Sequence, residues 1–375
     1  MVFTLKETDY IFTFKLGTYM TNYPKISSYF TENSFTVEKN IIQKNGPLYV
    51  GHKLMVPNID DYHVVNHLQN RYALVNRGNE YVLVSNVCPH RQSILLKGSG
   101  NTKVIKCGLH CWSFGIDGKF KGAPHFTEKV ESKNLETIKL YEWNGLLFKN
   151  RIPDCDFKKV GLSELLNFDD YFYHSTESET YHFNWKSFME IYLENYHVFS
   201  MHPGLKNFVK PSDLEWEIGA DYSIQKVGMG SDLRKFGSEI YKTWQTEVLR
   251  AHDSELPRYG AIWMLIYPNI MIEWYPHVIV ISTVDPKTPG SSINHVEFYY
   301  SKSLYQKNEN YFKVEKEAYL ETATEDNEAC LLLEEGRRAL YLNNEEIYGP
   351  IDSFLEKGVA EFYEYLFQAR NSEFL

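Results

Sequence analysis

The chain has 375 residues, enough for two domains with cores of their own, and its charged (23%) and hydrophobic (43%) shares are those of a globular protein. Lys and Arg number 39 against 49 Asp and Glu, a net charge of −10 that disfavours a sequence-independent grip on nucleic acid. The opening MVFTLKETDYIFTFKLG is too polar for a secretory signal, and no apolar run approaches the ~18 residues of a spanning helix, so the expectation is a cytoplasmic protein with reduced cysteines and neither membrane nor nucleic-acid partners.

Residues 1–40 read as a polar and aromatic lead-in. From Leu48 the texture turns to short strands: LYVGHKLMV, then RYALVN-RGNE-YVLVSNV, a hairpin by alternation with Gly78 and Asn79 at its turn. HCWSFGI-DG-KFKG predicts a second hairpin, with Asp117-Gly118 supplying the positive φ angles of a tight turn. This β-unit extends to about Pro153.

Just before the turning points stand Cys88 with His90 and Cys107 with His110, each pair in a loop at the tip of the β-unit. Thiolates and imidazoles so placed suit zinc or an iron–sulfur centre. Zinc ribbons and fingers pair like with like, whereas each knuckle here mixes one Cys and one His. The mixed order suits a [2Fe–2S] cluster with two Cys on one iron and two His on the other, at a higher potential than an all-Cys cluster.

Beyond Asp154 the stretch YHFNWKSFMEIYLENYHVF has helical spacing. Strands are expected over YSIQKVG, IYKTWQTEVL, IWMLIYPNIMIEWYPHVIVISTV and HVEFYYSKS, and helices from about Tyr311 to Leu342 and from Ile351 to Arg370. His197 and His202 stand five apart, which on an unbroken helix puts them about 140° from one another. Pro203 disfavours the α-region for His202, and an irregular turn there can return it beside His197. Two His and one carboxylate on one face leave open positions for oxygen and substrate, the arrangement of non-heme Fe(II) oxygenases.

The stretches CPHRQ from Cys88 and CGLHCWSFGIDG from Cys107, with Arg91 and Trp112 among the flanks, resemble the cluster motif of Rieske non-heme iron oxygenases. Cys111 departs from that motif, where the family commonly has Gly, and reads as a packed thiol. NWKSFMEIYLENYHVFSMHPGL is similar to the family's mononuclear-iron helix, and the likeness runs from about Tyr29 to Phe367.

The resemblance implies an α+β protein: a small all-β Rieske [2Fe–2S] domain at 41–155, and a helix-grip catalytic domain, an antiparallel sheet with helices, from 1–40 and 156–375. It implies Cys88, His90, Cys107 and His110 as cluster ligands, and His197, His202 and Asp326 as ligands of a mononuclear Fe(II), with Asp326 chosen over Glu325 and Glu328. Glu194 falls where the family places a carboxylate, often Asp, bridging an iron histidine to a cluster histidine of the next subunit of a homotrimer. Glu190 is either a further partner one turn earlier or a solvated position.

The implied activity is that of a terminal oxygenase, which uses O2 to hydroxylate or oxidatively demethylate a small quaternary ammonium or aromatic substrate. Its electrons come from a separate NAD(P)H-dependent reductase or ferredoxin, since the chain carries no G-x-G-x-x-G fingerprint. Trp263, Tyr267, Trp274 and Tyr275 are the candidate pocket rings, of which strand alternation faces only some inward. The alternatives are a Rieske-type electron-transfer protein without oxygenase activity and a zinc-stabilised binding module.

Overall fold

The computed structural model describes residues 10–15, 18–126, 133–252 and 255–372; the first nine residues of the lead-in lie outside them. The chain divides into two units, Gly46–Pro153 and a larger one made of Met1–Asn45 and Asp154–Leu375.

The smaller unit is all β. Strands Tyr72–Asn76 and Tyr81–Ser85 form the first expected hairpin, in register from Tyr72↔Ser85 to Asn76↔Tyr81, with Gly78 at φ 86° in the turn. They are central in a five-stranded antiparallel sheet, and both are buried almost throughout, as their apolar runs require. The second hairpin joins Ser113–Gly115 to Phe120–Gly122 across Gly118 at φ 79°, and a third strand, Val104–Lys106, completes its sheet. Val75, Val84, Trp112 and Phe114 pack with Cys88 and Cys107 in one core.

The larger unit is built on a seven-stranded sheet. Its strands are β1 (Tyr171–Tyr181), β2 (Val209–Ile218), β3 (Tyr222–Met229), β4 (Tyr259–Ile266), β5 (Ile270–Tyr275), β6 (Val278–Thr288) and β7 (Ser291–Ser301). They lie in the order β1-β7-β6-β5-β4-β3-β2, every neighbouring pair antiparallel. Six helices matter here: α1 (Glu32–Asn40), α2 (Trp185–Tyr192), α3 (Val198–Met201), α4 (Glu239–Ala251), α5 (Glu309–Leu342) and α6 (Lys357–Ser372). Alternate residues of β4 share a face: Ala261 and Trp263 join a core with α4 and the start of α5, while Leu265 joins one with α2 and α6. One all-β unit and one built of an antiparallel sheet with helices make the expected α+β class. Among the described residues, no helix is long and apolar enough to cross a membrane.

Three expectations are corrected. IYKTWQTEVL is a helix, α4, not a strand. Ser238 caps it by accepting from the Tyr241 amide at 3.1 Å, and Tyr241, Trp244 and Val248, at three- and four-residue spacing, are the side chains it buries; its β-prone composition was overridden by that face. The helix expected over YHFNWKSFMEIYLENYHVF spans only Trp185–Tyr192 and resumes as the single turn α3, because the Glu194 side chain takes the amides of Tyr196 and His197 (the latter at 3.1 Å). The last helix starts at Lys357, not Ile351, since the Asp352 carboxylate accepts from the amides of Phe354 and Leu355 in a preceding turn.

Candidate metal centres and active-site cavity

The two Cys/His knuckles of the smaller unit are built alike. Cys88 donates its amide to the carbonyl of Ser93 (2.8 Å) and accepts from Gln92 (3.0 Å); Cys107 donates to Trp112 (2.8 Å) and accepts from Cys111 (3.0 Å). Each loop closes through one residue in the left-handed region, Gln92 at φ 55° and Cys111 at φ 59°. That conformation is the physical reason for glycine at the second position in the related motif, and Cys111 occupies it with an exposed thiol rather than the packed one expected.

Cys88 and Cys107 are buried and not disulfide-bonded, and each thiol perturbs the acidity of the other. His90 and His110 lie outward with ring centroids 4.7 Å apart, and His90 stacks flat on Trp112 at 4.7 Å. Burial opposes a charge on Cys107, yet the backbone N–H groups of Leu109 and His110 outweigh it and lower the thiol. Two thiols beneath two imidazoles are a donor set that fits a [2Fe–2S] cluster with mixed ligands.

In the larger unit the structure brings His197, His202 and Asp326 together. His197 precedes the one-turn helix α3 and His202 ends it, at φ −114° and ψ 81° before Pro203, so the pair meets across a turn rather than along a helix. Their Nε2 atoms are 3.0 Å apart, and Asp326 Oδ1, from α5, is 3.1 Å from His202 Nε2 and 3.4 Å from His197 Nε2. Carboxylates hold the other ring nitrogens: Glu194 Oε1 is 2.5 Å from His197 Nδ1, and Glu325 Oε2 is 2.6 Å from His202 Nδ1.

With a proton on each Nδ1, both Nε2 atoms present bare lone pairs to one another and to a carboxylate oxygen. Three acceptors converging with no donor among them call for a cation, and two imidazoles with one carboxylate suit a divalent iron. Without such a cation a proton takes its place: burial opposes a positive His197, but Asp326 and Glu194 outweigh it and hold its pKa at about 10. Burial likewise opposes a charged Asp326, and the two imidazoles bring it down to about 2.

Glu325, passed over as a ligand, thus has a position that sequence spacing did not indicate: it orients His202 through the outer nitrogen. Glu328 is exposed. Glu194 reaches His197 from a turn rather than from a shared helix face. Glu190 neither touches the histidines nor lies in solvent; it is 5% exposed, bonds Tyr29 Oη, and pairs with Arg337 of α5 at 2.5 Å.

The loop after His202 is clamped by close approach. A Cβ on Gly204 would run into the Tyr241 ring, and one on Gly237 into the carbonyl oxygen of Pro203. Gly237→Ala is expected to cost about 1–3 kcal/mol as the loop is forced aside. Iron per chain, measured against acid-labile sulfide, should fall with sulfide unchanged; an unaltered ratio would show that the clamp does not set His202.

A cavity of about 430 Å³ opens on this centre, lined by His197, His202 and Asp326. Of the four candidate rings, Trp263 and Tyr275 line it and are joined by a 3.0 Å bond from Trp263 Nε1 to Tyr275 Oη. Tyr267 and Trp274 are not among the lining residues, and Tyr267 packs against Phe362 and Tyr365 of α6. One face of α5 runs along the cavity through Glu315, Tyr319, Thr322 and Asp326, at spacings of four, three and four.

Residues 47–141 match the Rieske [2Fe-2S] domain model, and residues 168–369 match the ring hydroxylating alpha subunit (catalytic domain) model. The chain is 42% identical to a putrescine 2-hydroxylase of Ralstonia nicotianae, over 91% of this chain and 93% of that one. It is 38% identical to a putrescine 2-hydroxylase of Bordetella bronchiseptica, over 91% and 83% of the two chains. The solved structure of a quaternary ammonium Rieske monooxygenase superposes with a TM-score of 0.72 at 20% identity, covering 99% of this chain and 100% of that one, a likeness of fold.

Proposed function

The chain belongs to the alpha-subunit family of Rieske ring-hydroxylating oxygenases, and from that premise we propose that it hydroxylates a small aliphatic primary amine, with putrescine the leading candidate. Members of the family are oxidoreductases that carry a [2Fe–2S] cluster and a mononuclear iron. The match across 168–369 leaves a bare electron carrier with no use for the larger unit.

The observation that carries the amine reading is the cavity beside His197, His202 and Asp326. Its lining includes Glu177, Glu179, Glu273 and Glu315, and Lys316 is the one lysine or arginine among its described lining residues. Lys316 is itself paired with Glu177 at 2.5 Å. An acidic chamber lined in part by aromatic rings attracts a cation. A quaternary ammonium has no N–H to give a carboxylate, whereas a primary one has three, so the amine reading replaces the quaternary or aromatic expectation. The two relatives named putrescine 2-hydroxylase support the same choice.

His197, His202 and Asp326 would hold the iron, and Cys88, His90, Cys107 and His110 the cluster. When bound, the cluster supplies single electrons and the iron supplies oxygen activation. The protein's own part is orientation. Glu194 and Glu325 keep a proton on each Nδ1 and so aim both Nε2 atoms inward. Trp263, Tyr275 and Phe298 wall the substrate space with apolar surface that limits water. Electrons are proposed to come from a separate reductase or ferredoxin. The working assembly is proposed as a cytoplasmic homotrimer, in which Glu194 also links His197 to a cluster histidine of a neighbouring subunit.

Reconstituted protein with a reductase and isotopically labelled oxygen tests this reading. Putrescine should gain one labelled oxygen atom; oxygen uptake without a hydroxylated amine, or product from a quaternary substrate alone, would refute it. Glu194→Ala is expected to keep both metal centres yet lose about 10–100-fold in turnover, while Glu194→Gln, which still accepts from Nδ1, recovers orientation. Unchanged turnover in the alanine variant would remove Glu194 from any role.

A further inference from the structure

Two acids of the cavity, Glu273 on β5 and Glu315 on α5, belong to neither metal set and are not solvated. Glu273 is 5% exposed and Glu315 1%. Glu273 is addressed by hydroxyl donors on both oxygens: Tyr275 Oη donates to Oε2 at 2.7 Å, and Tyr319 Oη to Oε1 at 3.2 Å. Trp263 Nε1 donates to Tyr275 Oη, so that hydroxyl proton is turned toward the carboxylate. Glu315 differs: its Oε2 is buried and has no hydrogen-bond partner among the described residues, although it lines the cavity. A buried carboxyl oxygen without a partner is costly, and a donor arriving in the cavity relieves it.

We propose that Glu273 and Glu315 together bind an ammonium head of the substrate, at the part of the cavity beyond the His197–His202–Asp326 set. The inference rests on the amine-hydroxylase reading and assigns its recognition to two residues. The ammonium offers N–H donors to the vacant Oε2 of Glu315 and to the remaining lone pairs of Glu273, with the rings of Trp263, Tyr275 and Tyr319 around it.

The protonation of these acids adds a measurable consequence. Burial, only partly offset by Tyr275 and Tyr319 and assisted by the charge of Asp326, raises Glu273 to about 7. Burial and the charge of Glu273 raise Glu315 to about 8, against a smaller opposite pull from Lys316. Near pH 7 the empty site therefore holds protons that an ammonium must displace. Affinity should rise from pH 6 to pH 9, with protons released on binding.

Calorimetric titration of anaerobic, metal-replete enzyme with 1,4-diaminobutane, in two buffers of different ionisation enthalpy at pH 7, is the test. Wild type should bind with proton release. Glu315→Gln and Glu273→Gln should each bind roughly 30-fold or more weakly, while their cluster absorption and iron content stay as in wild type. Wild-type affinity in both variants would overturn the assignment and leave the amine reading standing. No saturable diamine binding to wild type would bring down both. If a variant loses its cluster absorption, the wild-type buffer comparison decides instead, and binding without proton release counts against the pair.

Discussion

Asp326→Ala should leave the [2Fe–2S] absorption intact and remove the mononuclear iron, taking the metal content from about three irons per two sulfides to about two. Turnover should fall by at least about three orders of magnitude, beyond the 10–100-fold usual for an outer partner of a metal site. The expectation follows from the placing of two neighbouring acids around one imidazole. Asp326 Oδ1 faces His202 Nε2 at 3.1 Å, on the side where His197 Nε2 also converges, while Glu325 Oε2 faces His202 Nδ1 at 2.6 Å. Removing Asp326 deletes one of three donors. Removing Glu325 leaves all three and frees His202 to turn, so Glu325→Ala should bind iron at saturating ferrous ion and lose about 10–100-fold in activity. Metal analysis of the two variants decides the assignment; iron lost from Glu325→Ala and kept by Asp326→Ala would exchange their roles.

Glu38→Ala should cost about 3–5 kcal/mol of stability without touching either proposed metal site. The start of the stretch resembling an iron-binding helix, Asn184-Trp185-Lys186, is an anchor between distant parts of the larger unit. Asn184 caps α2 by accepting from the Lys186 amide at 3.0 Å, and its amide nitrogen reaches the carbonyls of Tyr29 and Pro289. Trp185 Nε1 donates to Glu38 Oε2 at 2.8 Å, and Lys186 Nζ lies 2.6 Å from Glu38 Oε1. Lys186 is 0% exposed; burial pushes its pKa down, and Glu38 pulls it back up. Alanine at 38 strands that ammonium against the Ser28 carbonyl and the Tyr29 ring. Denaturation followed by tryptophan fluorescence measures the loss, and one below about 1 kcal/mol would mean that water or a proton shift rescues Lys186. The double change Glu38→Leu with Lys186→Met should restore most of the stability, since an apolar pair of similar volume has no charge to desolvate.

What could be read from the chain alone was what short segments contain whole. Each Cys/His knuckle closes within about six residues, so its pattern is visible without a fold. The hairpins at Gly78 and Gly118 and the long helix α5 also follow from local turn residues and periodicity. The failures lie where a local preference met a stronger tertiary demand. Residues 240–249 have a strand's composition, but Tyr241, Trp244 and Val248 bury one helical face, and that burial outweighs propensity. The helix carrying His197 breaks because one side chain, Glu194, takes two backbone amides.

The resemblance chose Asp326 over Glu325, but only the tertiary structure showed that Glu325 faces the other nitrogen of His202. Consecutive residues of a helix point about 100° apart, and which direction meets His202 Nε2 depends on a loop 124 residues away. The same holds for Glu273 and Glu315, two unremarkable acids in sequence, which become a recognition candidate because β5 and α5 bury both in one cavity. The sequence by itself determined which atoms were available to bind metal and where the chain turns. Which acids lose their water, and what they then face, was decided by packing between residues far apart, a non-local burial energy that no periodicity records.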